Sequence, residues 1–423
     1  MTNTAHHNLW SYRKMSNQVA KQSWRTPMVV LTCGTIILFI SFGARNIFGL
    51  LLEPVTNSTG LNISDFSLAV AAQAVIWGLT TPITASLAER YGTARMIALG
   101  GTLYATGLIL MSLVATPIHM HLTAGMMLGL GLSATGFPII LASITKRVDA
   151  KRRSLFLGIG SAAGSSGQLA LVPLGQFFIS GYGWAISVIL FGCIVALIVP
   201  LAAAMKDPKK EAKNPNAAPE QKLVAALSEA MSHRGFLLLT AGYFVCGYQV
   251  MFLGTHLPNF LTQAGQDPWV GATALSLIGL FNIVGTLMWG AMGGRWRMKY
   301  LLSSIYLLRS IALTVFIILP VTPSSTYIFA AAIGLLWLAT VPLTSGLVAR
   351  IFGLKYMATL TGIVFFSHQL GSFAGAWLGG VFFENTGSYD TIWWIGVMLG
   401  VIAAALHFPI DDKPLDRLKP AEV

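Results

Sequence analysis

Long apolar runs, separated by short charged or turn-rich breaks, fill the chain from residue 27 to residue 408. A helix needs about 20 apolar residues to cross a bilayer. The runs predict spans near 27–53, 66–88, 96–116, 121–144, 154–178, 183–204, 235–258, 269–292, 300–320, 326–349, 358–383 and 390–408. Twelve such spans leave short loops and two tails, so no large soluble domain fits. The expected fold class is an all-α membrane protein. The first apolar run follows 26 polar or mixed residues and is too long for the apolar core of a cleavable signal, so this helix is expected to direct its own insertion.

The pattern repeats once. Residues 206–234 form the only long hydrophilic interior segment, with a short amphipathic helix expected near 219–231, and they divide the spans six and six. A shift of 204 residues then matches Gly43 with Gly247, Phe48 with Phe252, Pro54 with Pro258, Pro138 with Pro342, Lys146 with Arg350 and Gly167 with Gly371. A single offset that survives from the first span to the last predicts two pseudo-symmetric six-helix bundles related by a parallel duplication. The expected organisation is a tail at 1–26, bundles at 27–205 and 235–408 joined by a linker at 206–234, and a second tail at 409–423.

Composition and charge sharpen this picture. The chain is 55% hydrophobic and 10% charged, against roughly 25% charged in a soluble domain, which excludes a soluble enzyme. Its net charge of +12 would point to nucleic acid in a soluble protein. Here 25 of the 27 Lys and Arg residues fall in the tails and in alternate loops, as the positive-inside rule requires of a multi-pass protein with both termini in the cytoplasm. No nucleic-acid partner is expected. Cys33, Cys193 and Cys246 all lie within spans and read as packing residues. Nothing has the spacing of a phosphate-binding loop, a zinc site or a Ser-His-Asp arrangement, so neither enzymatic activity nor a cofactor or metal is expected.

Two loops carry a recognisable motif. Ala85 to Arg95 reads ASLAERYGTAR between spans 2 and 3, and Gly290 to Lys299 reads GAMGGRWRMK between spans 8 and 9. Both resemble the G-x-L-a-D-R-x-G-r-r loop of the major facilitator superfamily, in the two places where that family carries it. The resemblance implies a conformational lock on the cytoplasmic side built from Glu89, Arg90, Gly92, Arg95 and Arg295. The acid of the second copy is replaced by Gly294, so the lock is expected to be stronger in the N-terminal half. Residues 41–49, 247–261, 339–353 and 365–380 are similar to the bacterial relatives of the monocarboxylate and oxalate/formate transporters. Monocarboxylate transporters usually pair an acid and a base in helix 8, and this sequence has neither there.

The intramembrane polar residues are the candidate site. No Asp or Glu falls in the middle of a predicted span, so a buried arginine there lacks an intrinsic partner. Arg45 is expected to face a water-filled cavity and to hold a substrate carboxylate in its guanidinium fork. The alternative is snorkelling, since Arg45 lies about 12 Å before the predicted end of helix 1. Gln249, its counterpart under the repeat, is expected on the opposite wall. His368 can titrate near neutrality and is the candidate proton carrier, with Gln369 beside it. Tyr248, Asn282 and Thr340 fall on helices that the resemblance expects to line or support the path. Arg309 lies on peripheral helix 9 and is expected either at the substrate or on backbone carbonyls. His256 is expected at the membrane interface.

These residues predict a secondary transporter of the inner membrane of the cell, moving a small organic anion such as a monocarboxylate, together with a proton, by alternating access. It is expected to act as a monomer. An anion exchanger without proton coupling is the first alternative. A drug or metabolite exporter is the second, and the lack of a mid-membrane acid for a cationic drug weighs against it.

Overall fold

The apolar runs fold as helices throughout. The computed structural model describes residues 24–145, 153–207, 223–353, 356–415 and 417. The spans are α1 (Pro27–Thr59), α2 (Ile63–Tyr91), α3 (Thr93–Met111), α4 (Pro117–Thr145), α5 (153–182), α6 (184–205), α7 (Arg234–Gln263), α8 (Pro268–Gly293), α9 (Met298–Ile318), α10 (Pro323–Phe352), α11 (Met357–Thr386) and α12 (Asp390–His407). The α5–α6 turn is tight because Gly183 adopts a φ of 78°, which a residue with a Cβ resists. Leu223–Ser232 forms a short helix before α7. Most of the expected linker and tails, including 208–222, lies outside the described residues.

Two predicted ends are wrong for one reason. Hydropathy stops the first and seventh spans at 53 and 258, beside Pro54 and Pro258, yet α1 continues to Thr59 and α7 to Gln263. A membrane helix tolerates proline when neighbouring helices satisfy the carbonyl it frees. Pro258 frees the carbonyl of Gly254, and this oxygen points at α1: a Cβ on Gly49 would lie 2.3 Å from it. Glycine at 49 therefore permits the close backbone approach between α1 and α7.

Each half is held by a matching pair of glycines. A Cβ on Gly167 of α5 would lie 2.0 Å from the carbonyl oxygen of Phe39 in α1, and one on Gly371 of α11 would lie 1.8 Å from that of Phe244 in α7. Small residues let membrane helices pack backbone to backbone. The repeat extends to hydrogen bonds: Ser41 Oγ lies 2.9 Å from Thr135 Oγ1 in the first half, and Cys246 Sγ lies 3.3 Å from Thr340 Oγ1 in the second. Separate apolar cores fill the two bundles, with Ile37, Leu38 and Phe66 in one and Phe236, Leu302 and Leu347 in the other.

The described residues nearest the two chain ends lie on one side, called here the terminal side, where Arg25 Nε donates to the carbonyl of Ala203 and Leu415 N to that of Ile351. The halves meet through α1 with α7, α2 with α11, and α5 with α8. Among the described residues, the hydrogen bonds between halves lie at mid-depth or on the far side. They run from Arg45 to Met251, Ser64 N to Glu384, Gln168 to the carbonyl of Leu275, Asn282 to Ser165, and Gln369 to the carbonyl of Ala74. These bonds join the halves at mid-depth and, through Ser64 and Glu384, on the far side.

Candidate functional site

Arg45 closes the first segment of α1, just before a break at Asn46 and Ile47. Asn46 steadies that break, its Nδ2 donating to the carbonyl of Phe42 at 2.7 Å. Because α1 extends to Thr59, Arg45 stands fourteen residues from the far end, on the order of 21 Å, rather than the 12 Å expected. It thus lies well inside the helix, 18 residues from one end and fourteen from the other. The nearest acid along the helix, Glu53, is about two turns away.

The surroundings of the guanidinium are neutral. Nη2 lies 3.0 Å from the thioether sulfur of Met251 on α7, the guanidinium carbon sits 5.0 Å from the ring centroid of Trp77, and Nε is buried with no hydrogen-bond partner. The adjoining cavity lies between the halves and is lined by Arg45, Gln73, Met251, Thr255 and Trp337. Its free volume for a water-sized sphere is about 20 Å³, room for one water or one small polar group. Gln73 is 1% exposed and donates to the carbonyl of Ala124, in a stretch of α4 with π-helical hydrogen bonding. Such stretches are frequent at functional sites.

An aromatic row leads from Arg45 to His368. Trp77 meets Phe365 of α11 edge-on at 5.5 Å, Phe365 stacks on His368 at 5.8 Å, and His368 meets Tyr243 at 5.1 Å. His368 Nδ1 lies 3.0 Å from Gln369 Oε1, and Gln369 Nε2 donates to the carbonyl of Ala74 in the other half at 2.9 Å. An amide oxygen only accepts, so this amide assignment puts the hydrogen on Nδ1. The histidine is thereby linked through one side chain to the α2–α11 contact.

Other candidates lie elsewhere. Gln249 does not face Arg45; its Nε2 donates to the carbonyl of Gly396 on α12, and its Oε1 lies 3.4 Å from Arg309 Nη1. Tyr248 also turns into the C-terminal bundle, donating to the carbonyl of Ile392. Thr340 meets Cys246, while Asn282 and Arg309 bind the backbone of α10. His256, expected at the membrane interface, is fully buried, with its Nε2 2.7 Å from the carbonyl oxygen of Ala376 and its Nδ1 3.2 Å from Tyr389 Oη. Gln73, Gln168 and Met251 stand at the boundary without having been expected there. The two glutamines carry the same signal as His368, a polar side chain mid-span; a methionine carries none.

At the terminal side Gly92, with φ 100°, ends α2. Glu89, Arg90, Arg95 and Arg295 are exposed, Arg90 over the ring of Tyr91 at 5.3 Å, and Glu89 and Arg90 form no ion pair among the described residues. Aspartates after the sixth and twelfth spans hold the two loops instead. Asp207 Oδ2 accepts from Thr93 N at 2.8 Å, and buried Asp412 pairs with Arg297, whose Nε is 3.1 Å from Oδ2. This pairing holds the Asp412 carboxyl below its ordinary range and raises Arg297.

A Major Facilitator Superfamily profile matches residues 34–376. The chain is 25% identical over 395 residues to monocarboxylate transporter 13 of Rattus norvegicus, covering 88% of this chain and 89% of the relative. It is 22% identical over 370 residues to monocarboxylate transporter 11 of Mus musculus, covering 86% and 82%. Its fold is similar to that of a bacterial homolog of the human lysosomal transporter Spinster, solved in an inward-facing and unoccupied conformation, with a TM-score of 0.73, 16% identity and coverage of 92% and 97%. It is also similar to that of a D-xylose-proton symporter, with a TM-score of 0.69, 14% identity and coverage of 92% and 99%. With twelve membrane-spanning helices in two bundles and a family match over most of its length, this chain belongs to the Major Facilitator Superfamily and is a transport protein, not an enzyme.

Proposed function

We propose that this transporter carries a small monocarboxylate together with a proton, and that Arg45 is the group that holds the carboxylate. The observation that carries the reading is the state of Arg45: a mid-membrane guanidinium at the boundary between halves, met by a thioether and an indole face, with Nε unpartnered. A substrate carboxylate supplies both the missing charge and two parallel acceptors. The names of the relatives, monocarboxylate transporters, agree with this chemistry.

The cycle follows from the two bundles, 27–205 and 235–408, rocking about the site. The terminal side is taken as the cytoplasmic one, in the inner membrane of the cell, from the charge distribution. A monocarboxylate entering between α1 and α7 displaces Met251 from Arg45 and neutralises the cation, and with the coupling proton the loaded transporter carries the same net charge as the empty one. His368 takes up the coupling proton, and Gln369 passes the change to Ala74 and hence to the contact between halves. In the empty transporter, Met251 and Trp77 give Arg45 a resting environment, which favours net transport over obligatory exchange. The unit that performs this cycle is a single chain.

Accumulation of radiolabelled monocarboxylates in proteoliposomes under an imposed pH gradient tests the reading. Accumulation that collapses with a protonophore is expected. Counterflow at full rate with no net uptake at any pH favours the exchanger.

A further inference from the structure

Helix α10 is interrupted at mid-depth, where Trp337, Leu338 and Ala339 separate Pro323–Leu336 from Thr340–Phe352. A break frees carbonyls and amides that lipid cannot satisfy. Two side chains from other helices answer it. Arg309 of α9 is 2% exposed; its Nε and Nη2 donate to the carbonyl of Leu336 at 3.2 and 2.6 Å, and Nη2 also donates to that of Trp337. The cation thus sits on the carbonyl end of the first segment, where the helix dipole is negative. Asn282 of α8 is 1% exposed and serves the freed amide, its Oδ1 accepting from Leu338 N at 3.0 Å.

Asn282 also reaches out of its own half. Its Nδ2 donates to Ser165 Oγ of α5 at 2.8 Å, across the α5–α8 contact. The break in α10 and the boundary between halves therefore share one side chain. Among the described residues, the first half has no such device. There α4 breaks at Gly136, and the residues corresponding to Arg309 and Asn282, within one residue of the 204 shift, are Tyr104 and Trp77. Tyr104 donates to the carbonyl of Ser41, while Trp77 Nε1 stands near Gly136 without a partner.

We propose that Arg309 and Asn282 are positioning residues of transport: they clamp the two ends of the α10 break and, through Ser165, tie its bend to the α5–α8 contact. Neither holds substrate in this assignment. Helix α10 flexes at 337–339 when the halves reorient and Asn282 exchanges its partner, with Arg309 fixing the carbonyl end throughout. The assignment is independent of which solute is carried and of how the proton is coupled.

Hydrogen–deuterium exchange of the full-length protein in lipid nanodiscs, with no solute added, tests this directly. In Arg309→Gln and in Asn282→Ala, amides 336–342 are expected to exchange at least tenfold faster than in the unsubstituted protein, while those of α3 and α12 stay within twofold. Arg309→Lys, which retains a cation and one carbonyl bond, is expected to restore intermediate protection. Asn282→Ala alone is expected to speed exchange around residue 165. Unchanged exchange at 336–342 in both variants overturns the clamp. Acceleration spread evenly over the chain overturns it too, because it marks a general loss of stability rather than a local hold. If Arg309→Gln does not reach the membrane, Asn282→Ala and Arg309→Lys still decide the outcome.

Discussion

Arg45 Nη2 meets Met251 Sδ at 3.0 Å across the boundary between the two halves. A thioether is a weak acceptor, whereas a carboxylate on a guanidinium forms charge-assisted bonds about twice as strong as neutral ones. Met251 therefore holds the empty arginine without competing seriously with substrate. Met251→Leu keeps the volume and removes the acceptor, at a packing cost below about 1.5 kcal/mol. Uptake assays are expected to give an unchanged KM, or one lowered roughly twofold by about 0.5 kcal/mol of lost competition. A tenfold rise in KM would make the sulfur part of the substrate site instead.

Gly49 and Gly254 face each other unequally. A Cβ on Gly49 would lie 2.3 Å from the oxygen of Gly254, whereas one on Gly254 meets nothing within 4 Å. Gly49→Ala is expected to destabilise the state closed on the far side by about 1–3 kcal/mol and to shift the population toward far-side opening. Gly254→Ala is expected to leave it unchanged. Labelling of a cysteine introduced at the far mouth, compared in the two variants, reads the difference. Equal labelling contradicts the packing argument.

Asp412 is 1% exposed and pairs with Arg297, whose side chain is 46% exposed. Because the pairing lowers the folded-state carboxyl below its ordinary value of about 4, its stabilisation is full above that value and is lost as pH falls through the lowered one. Asp412→Asn is expected to reduce thermal stability at pH 7, with the gap to the unsubstituted protein closing below about pH 4. A gap as wide at pH 3 as at pH 7 would locate the effect in packing.

Much of this arrangement is legible in the amino-acid sequence. The 204-residue shift exposes the two bundles, and spans whose middles hold no acid single out Arg45 and Arg309. Hydropathy cannot show a break inside a span, so Asn282 reads only as a residue along the path, while Arg309, open between substrate and backbone carbonyls, takes the carbonyls of the α10 break. Nor can it rotate a helix. Gln249 matches Arg45 in sequence but turns toward α12, and the residue that meets Arg45 is Met251, which a polarity search discards. Proline misleads at 54 and 258 because its effect on a membrane helix depends on what neighbours the freed carbonyl.

His368 connects through Gln369 to the carbonyl of Ala74. If it carries the coupling proton, His368→Gln is expected to abolish accumulation driven by a pH gradient while solute counterflow continues. The measurement compares the two modes in the same proteoliposomes. Gradient-driven accumulation at the unsubstituted rate in this variant removes His368 from the coupling path.

Uptake of formate, acetate, pyruvate and L-lactate by proteoliposomes containing the unsubstituted protein, Arg45→Lys or Arg45→Ala bears most directly on the proposed site. The unsubstituted protein is expected to transport at least one of them. Arg45→Lys, which keeps the charge and loses the fork, is expected to raise its KM at least tenfold, and Arg45→Ala to abolish uptake at equal membrane expression. Uptake by Arg45→Ala at the unsubstituted rate would contradict the assignment of Arg45 as the carboxylate site.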